Sequence, residues 1–217
     1  MDTTTPRMPS LELVNGISFH TYLASSVAEL EAWRLIQSDP ALRDGLVNLK
    51  EMEKHAVPCP VHTDFRLDQL LVRNDQVYVI DWEEFRLGDP ARDVGSYIGD
   101  WLFRATLDVA RAGERETRFI VEPTHSEVIE RGVQSMARLK PLVSSFWRTY
   151  TRAVAVDREF RRRTAAYAGW HLFDRLIASA WQSPRLSGIA RAGAGIGRNL
   201  LLDPDRYAAA AGIAEVA

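Results

Sequence analysis

The sequence predicts a mainly α-helical chain carrying one small β-hairpin. Three observations point there. Apolar residues recur at helical spacing behind recognisable caps over most of the 217 residues. Two short runs, Leu70-Leu71-Val72 and Val77-Tyr78-Val79-Ile80, are rich in β-branched or aromatic residues and flank a turn at Asn74-Asp75. Pro58 and Pro60 stop the helical pattern before these runs, and Gly88-Asp89-Pro90 restarts it after them.

In chain order, residues 1–10 are polar with two prolines, so they read as a disordered start and lack the apolar core of a signal peptide. From residue 11 to Lys54 the pattern is helical. Ser26 and Glu29 form a capping box ahead of Val27, Leu30, Trp33 and Ile36, and Asp39-Pro40 opens a second helix. The hairpin spans about 69–81. Beyond it, Val94, Tyr97, Ile98, Trp101 and Leu102 make one apolar stripe. Glu114 to Glu122 reads as a charged connector, and Thr124 with Glu127 as a capping box opening a helix that Pro141 kinks or divides. Asp157 caps a helix reaching about Gln182, and a last helix covers about residues 186–202. Residues 11–217 are thus expected to form a single helical domain.

A composition of 46% hydrophobic and 26% charged residues is ordinary for a globular protein. The net charge of -2 gives no overall bias towards nucleic acid or an anionic membrane. The lone Cys59 excludes an internal disulfide, no run approaches a membrane span, and a cytoplasmic location is expected.

The chemistry concentrates in residues 61–95, where His62, Asp64, Asp68, Asp75, Asp81, Glu83, Glu84, Asp89 and Asp93 surround the two apolar runs. That pattern fits either a charged surface hairpin or a site. Asp64 precedes the first strand and Asp81 ends the second, so the hairpin brings the two together. Carboxylates at one end of a hairpin repel unless a cation lies between them. Mg²⁺ takes such oxygens, completing its shell with waters and substrate phosphates. The Gln69 amide oxygen enters the first strand close by as a further ligand.

The run "HTDFRLDQLLV…VYVIDWEEFRLGDPARDV" resembles the core of the aminoglycoside phosphotransferase and choline kinase families, small-molecule kinases related to the protein kinases. The matching residues are His62, Asp64, Ile80, Asp81, Trp82, Glu83, Gly88, Asp89, Pro90 and Asp93. The resemblance implies the C-terminal lobe of a kinase-like fold using ATP and Mg²⁺. It implies Asp64 as the base for a substrate hydroxyl, Asp81 as the main metal ligand, and His62, Asp93 and Glu83 as support for the site. Two departures stand out. Gln69 replaces the family asparagine, adding a methylene where Mg²⁺ wants ligands at about 2.1 Å. The family's ATP-grasping β-sheet lobe has no counterpart in the residues ahead of His62, which read as helix, with Lys50 and Lys54 the candidate lysines there.

Two readings follow. One is a phosphotransferase acting on a small-molecule or peptide hydroxyl, which needs the missing lobe from elsewhere. The other is an impaired kinase-like subunit whose exposed lobe-docking surface takes a partner protein, by analogy with the phosphotransferase-like subunits that modify Ser or Thr in lanthipeptide synthesis. Three other features carry bland expectations. Gly193, Gly195 and Gly197 lack the strand of a phosphate loop and suggest a closely packed helix. The basic run Asp157 to Arg163 reads as a solvated helix face. Trp101, Trp147, Trp170 and Trp181 sit on apolar faces and are expected in the core, although aromatic cages can also hold cations. The histidines show no metal spacing, and no Ser-His-Asp arrangement is readable.

Overall fold

The computed structural model describes residues 14–116 and 125–216. The expected disordered start, the Thr124 cap and most of the charged connector lie outside them.

Three helices come first: α1 (Phe19–Ala24), α2 (Val27–Gln37) and α3 (Pro40–His55). The Ser26 hydroxyl accepts the Glu29 N–H while the Glu29 carboxylate accepts the Ser26 N–H, closing the capping box. Leu42, Leu46 and Leu49 line the buried face of α3. Among the described residues, everything ahead of the first strand that is regular is helical.

Four short strands follow: β1 (Cys59–Val61), β2 (Leu70–Arg73), β3 (Gln76–Val79) and β4 (Arg86–Gly88). β2 and β3 form the antiparallel hairpin with Leu70 opposite Val79. Its two turn residues, Asn74 and Asp75, have φ of 50° and 60°, the left-handed pair that suits the twist of a two-residue hairpin. A second antiparallel pair, β1 with β4, sets Cys59 opposite Gly88 and Val61 opposite Arg86.

The remaining helices are α4 (Pro90–Glu116), α5 (His125–Ala153), α6 (Arg158–Trp181), α7 (Gly188–Leu202) and α8 (Pro204–Tyr207). α6 is central and packs against α2, α3, α4, α7 and α8. Its middle is buried on all sides, from Thr164 to Phe173. α7 meets it at backbone distance: a Cβ on Gly197 would lie 2.6 Å from the Gly169 carbonyl oxygen, and one on Gly169 would lie 2.4 Å from that of Gly197. The glycine-rich run is therefore a contact surface, with Gly197 the member that admits no side chain.

α5 continues through Pro141 as one helix, so of the two outcomes expected there division does not occur. Two expectations are corrected. Trp181 is 71% exposed, whereas Trp147 and Trp170 are buried and Trp101 is partly so. The basic run is not a solvated face. Arg161 is fully buried and donates to the Ala214 and Ile213 carbonyls, and Arg163 reaches across to Asp89. Burial became possible because each guanidinium found oxygen partners far along the chain.

Asp39 joins two helices. It caps α3 by accepting the Leu42 N–H at 3.1 Å and pairs with Arg198 of α7. The Arg198 hydrogen bond holds its carboxyl below the ordinary aspartate range, against a smaller opposing effect of burial. Since the folded-state pKa is depressed, this stabilisation is present above about pH 4 and is lost as pH falls through the depressed value. Asp39→Ala is expected to cost about 1–2 kcal/mol at pH 7 and much less at pH 3, read by urea unfolding at both pH values. An equal cost at both would refute the linkage.

Candidate active site

The strand pairing sets two loops side by side. The chain leaves β1 at His62 and enters β2 at Leu70; it leaves β3 at Val79 and enters β4 at Arg86. Because β1 pairs with β4 and β2 with β3, residues 62–69 and 80–85 must run next to each other.

The Ile80 N–H donates to the Gln69 carbonyl at 3.0 Å, and three side-chain bonds also tie the loops together. The His62 Nε2 donates to the Ile80 carbonyl at 2.7 Å, so Nε2 carries the ring proton. The Thr63 hydroxyl donates to the Glu84 carbonyl at 2.9 Å. The Gln69 amide donates to the Asp81 Oδ2 at 3.1 Å. The His62 ring also packs on Trp82, with centroids 4.9 Å apart.

Within the two loops, Thr63 (φ 70°) and Asp81 (φ 66°) hold left-handed backbone. A β-branched residue there is an outlier, and such strain persists only where surrounding bonds impose it. Asp93, near the start of α4, imposes it on Thr63. Its two oxygens accept the His62 and Thr63 N–H groups, each at 2.7 Å. Burial is the largest influence on the Asp93 carboxyl and pushes it above the ordinary aspartate range, against the pull of those N–H groups. Asp93→Ala would orphan two N–H groups at once, an expected loss of about 2–5 kcal/mol, and Asp93→Asn, keeping one acceptor oxygen, about half of that. Urea unfolding of both variants checks this; equal losses would show that the two bonds do not count separately.

The Asp64 carboxylate is 39% exposed and accepts from Arg66 at 2.8 Å; Arg66 also reaches Asp68 at 3.1 Å. Burial opposes the Arg66 charge, but the Asp64 carboxylate outweighs it and keeps the guanidinium more firmly protonated. Beside Asp64 opens a cleft of about 270 Å³, walled by the two loops and by α4 and α6, with Glu83, Arg92, Trp170, His171 and Arg175 in its lining. Asp81 is exposed and does not line the cleft, whereas Glu83 is exposed and does. Lys54, one of the two lysines singled out ahead of His62, pairs with Glu51 on its own helix.

Whether a metal fits turns on Asp81 and Gln69. Among the described residues no group of three or more His, Cys, Asp or Glu side chains is placed to cage a metal. Mg²⁺ does not need such a cage, since one or two carboxylates with substrate phosphates suffice. Gln69 now points its amide N–H at Asp81; half a turn of the amide offers the oxygen in the same place. The donor set suits a hard cation.

A model of the phosphotransferase enzyme family matches residues 15–128, just over half of the chain. The chain belongs to that family. No curated protein matches it. The matched segment carries both loops, all of α4 and the first residues of α5, so the phosphotransferase family match covers every candidate site residue read from the sequence. It stops before α6, whose Trp170, His171 and Arg175 wall the cleft.

Sequence reasoning missed three participants. Thr63 carries the loop's strain, and Arg66 holds Asp64. Asp100, whose Oδ2 accepts the Leu67 N–H at 3.1 Å, left one clue, its spacing of seven residues from Asp93 on an amphipathic helix.

Proposed function

We propose that the chain is the C-terminal lobe of a kinase-like phosphotransferase that moves a phosphoryl group from ATP to a hydroxyl of a small molecule or peptide. The observation that supports this most is the loop pair itself, in which Asp64, Gln69 and Asp81 sit on strained loops cross-tied at His62, Thr63 and Gln69.

In this reading Asp64 accepts the proton of the acceptor hydroxyl as that oxygen attacks, with the acceptor seated in the cleft beside it. Asp81 and Gln69 would hold Mg²⁺, which supplies charge neutralisation for the phosphates. Arg66 has to release Asp64 for the carboxylate to take a proton, and Asp68 gives it an alternative partner. Asp93 and His62 keep the loop in place and touch no substrate. Glu83 supports the site at the cleft wall.

The test is transfer of the ATP γ-phosphate, in the presence of Mg²⁺, to a panel of amino alcohols, sugars and Ser/Thr peptides. No transfer to any hydroxyl, water included, even with candidate partner chains added, would refute the reading.

One observation favours a second reading, that of an impaired kinase-like subunit working in a complex. The hairpin and the loop after it leave apolar side chains exposed: Leu71, Val72, Val77 and Tyr78 on the strands, Trp82 and Phe85 on the loop. An apolar surface of that size invites a protein. Its occupant in this reading is a partner that supplies the nucleotide-grasping lobe, as in machinery that phosphorylates Ser or Thr of a peptide. Co-purification with a second protein and a requirement for a peptide substrate would favour it over the first reading.

A further inference from the structure

The turn at Leu67–Gln69 carries Gln69 towards Asp81, and it has no cap of its own: the Arg66 side chain makes no capping bond. The first N–H groups of any helical turn lack partners within it. Asp100 supplies one from outside. Its side chain is 8% exposed, it lies on α4 seven residues beyond Asp93, and its Oδ2 accepts the Leu67 N–H at 3.1 Å.

The other side of the carboxylate is also held. Its Oδ1 lies 3.5 Å from the Nε2 of His171, itself 5% exposed, and Arg104 stands 3.7 Å from Oδ2 at the outer edge. α4 and α6 touch at backbone distance there, since a Cβ on Gly99 would lie 2.7 Å from the His171 Cβ and 2.8 Å from the Ala168 carbonyl oxygen. Burial works against the Asp100 charge, but the His171, Leu67 and Arg104 partners outweigh it and hold the carboxyl below the ordinary aspartate range. His171 is at the same time part of the cleft wall.

We propose that Asp100 is a positioning residue: from α4 it caps the turn at Leu67–Gln69, fixing Asp64 and Gln69 together, while His171 packs against it from the cleft wall. The role rests on the phosphotransfer reading. Asp93 grips the loop just ahead of Asp64 and Asp100 grips it three residues beyond, so the base is suspended between two carboxylates on one helix. Packing against His171 alone would require no contact with Leu67. The bond to a loop N–H is what a positioning role needs.

Amide exchange at Leu67, followed by NMR, reads the cap, and steady-state Mg·ATP turnover reads its consequence. Asp100→Ala is expected to speed Leu67 exchange by about ten-fold or more while the His62 and Thr63 amides stay within about two-fold. It should lower kcat by about 10–100-fold with KM for ATP within about two-fold. Asp100→Asn keeps an acceptor oxygen and should return both readouts to within about three-fold of the unmodified chain. Leu67→Pro removes the donor alone, in a position where the extended Arg66 (φ -130°, ψ 168°) tolerates a following proline. It should reproduce the kcat loss, and it decides the matter if Asp100→Ala fails to fold. Unchanged Leu67 exchange in Asp100→Ala, or a kcat loss that Asp100→Asn does not rescue, overturns the proposal. A chain with no Mg·ATP turnover in any form sinks the phosphotransfer reading instead, and Leu67 exchange still decides the cap.

Discussion

Asp64→Asn and Asp81→Asn are each expected to cut Mg·ATP-dependent phosphoryl transfer by about a thousand-fold or more, with little change in unfolding midpoint. The two losses have different origins. Removing a positioned general base costs about 10²–10⁴ in rate, and the Asp64 amide that replaces it cannot take the proton. At Asp81 the change removes the carboxylate that meets Gln69 and that the proposed function gives to the cation. Stability should hold because neither side chain is buried and both replacements keep their shape. Arg66, released from Asp64, still has Asp68. Circular dichroism melts and γ-phosphate transfer on the same samples separate the two effects. Transfer within ten-fold of the unmodified chain in either variant would remove that residue from the chemistry.

Arg163→Ala is expected to be the most destabilising single change, at about 3–5 kcal/mol. The reason is what it leaves behind. The Asp89 side chain has no solvent exposure, and Arg163 meets it with Nε at 2.7 Å. Without the guanidinium, the carboxylate keeps the Ala91 N–H at 3.1 Å but loses its charged partner. A buried, uncompensated charge is far costlier than a missing surface contact. The double variant Asp89→Asn with Arg163→Ala should therefore recover part of the loss, giving a coupling of about 1–3 kcal/mol in a double-mutant cycle by urea unfolding. Additive losses would mean that the pair is not coupled. The bond also explains how a motif residue at the head of α4 becomes part of the frame: it pins α4 to α6, and so holds the helix that carries Asp93.

What the sequence made legible was local. The caps at Ser26, Asp39 and Asp157 and the turn at Asn74-Asp75 depend on neighbours within a few residues, and all are found. The close contact at Gly197 was readable because small residues in a helix have few other uses. The β1–β4 pair was not readable. Its strands are three residues each, too short for any alternation, and they are separated by the whole hairpin. Yet that pair is what sets the two loops beside each other. The basic run misled for a related reason: charge reads as solvated until a partner appears, and the partners of Arg161 and Arg163 lie 53 and 74 residues away. Of the site, the carboxylates and Gln69 were legible because their chemistry lies in side chains. The grip on the loop was less so, because Asp100 bonds a backbone N–H that leaves no trace at Leu67.

The two carboxylates on α4 also make the helix a ruler. Seven residues are almost two full turns, so Asp93 and Asp100 face the same way, about 10 Å apart along the axis. One residue inserted between them would swing Asp100 by about 100° and strip it from Leu67, however conservative the insertion. Substitutions on the outer face of this stretch should be tolerated; changes in its length should not. The spacing, more than the identity of what lies between, is what the loop depends on.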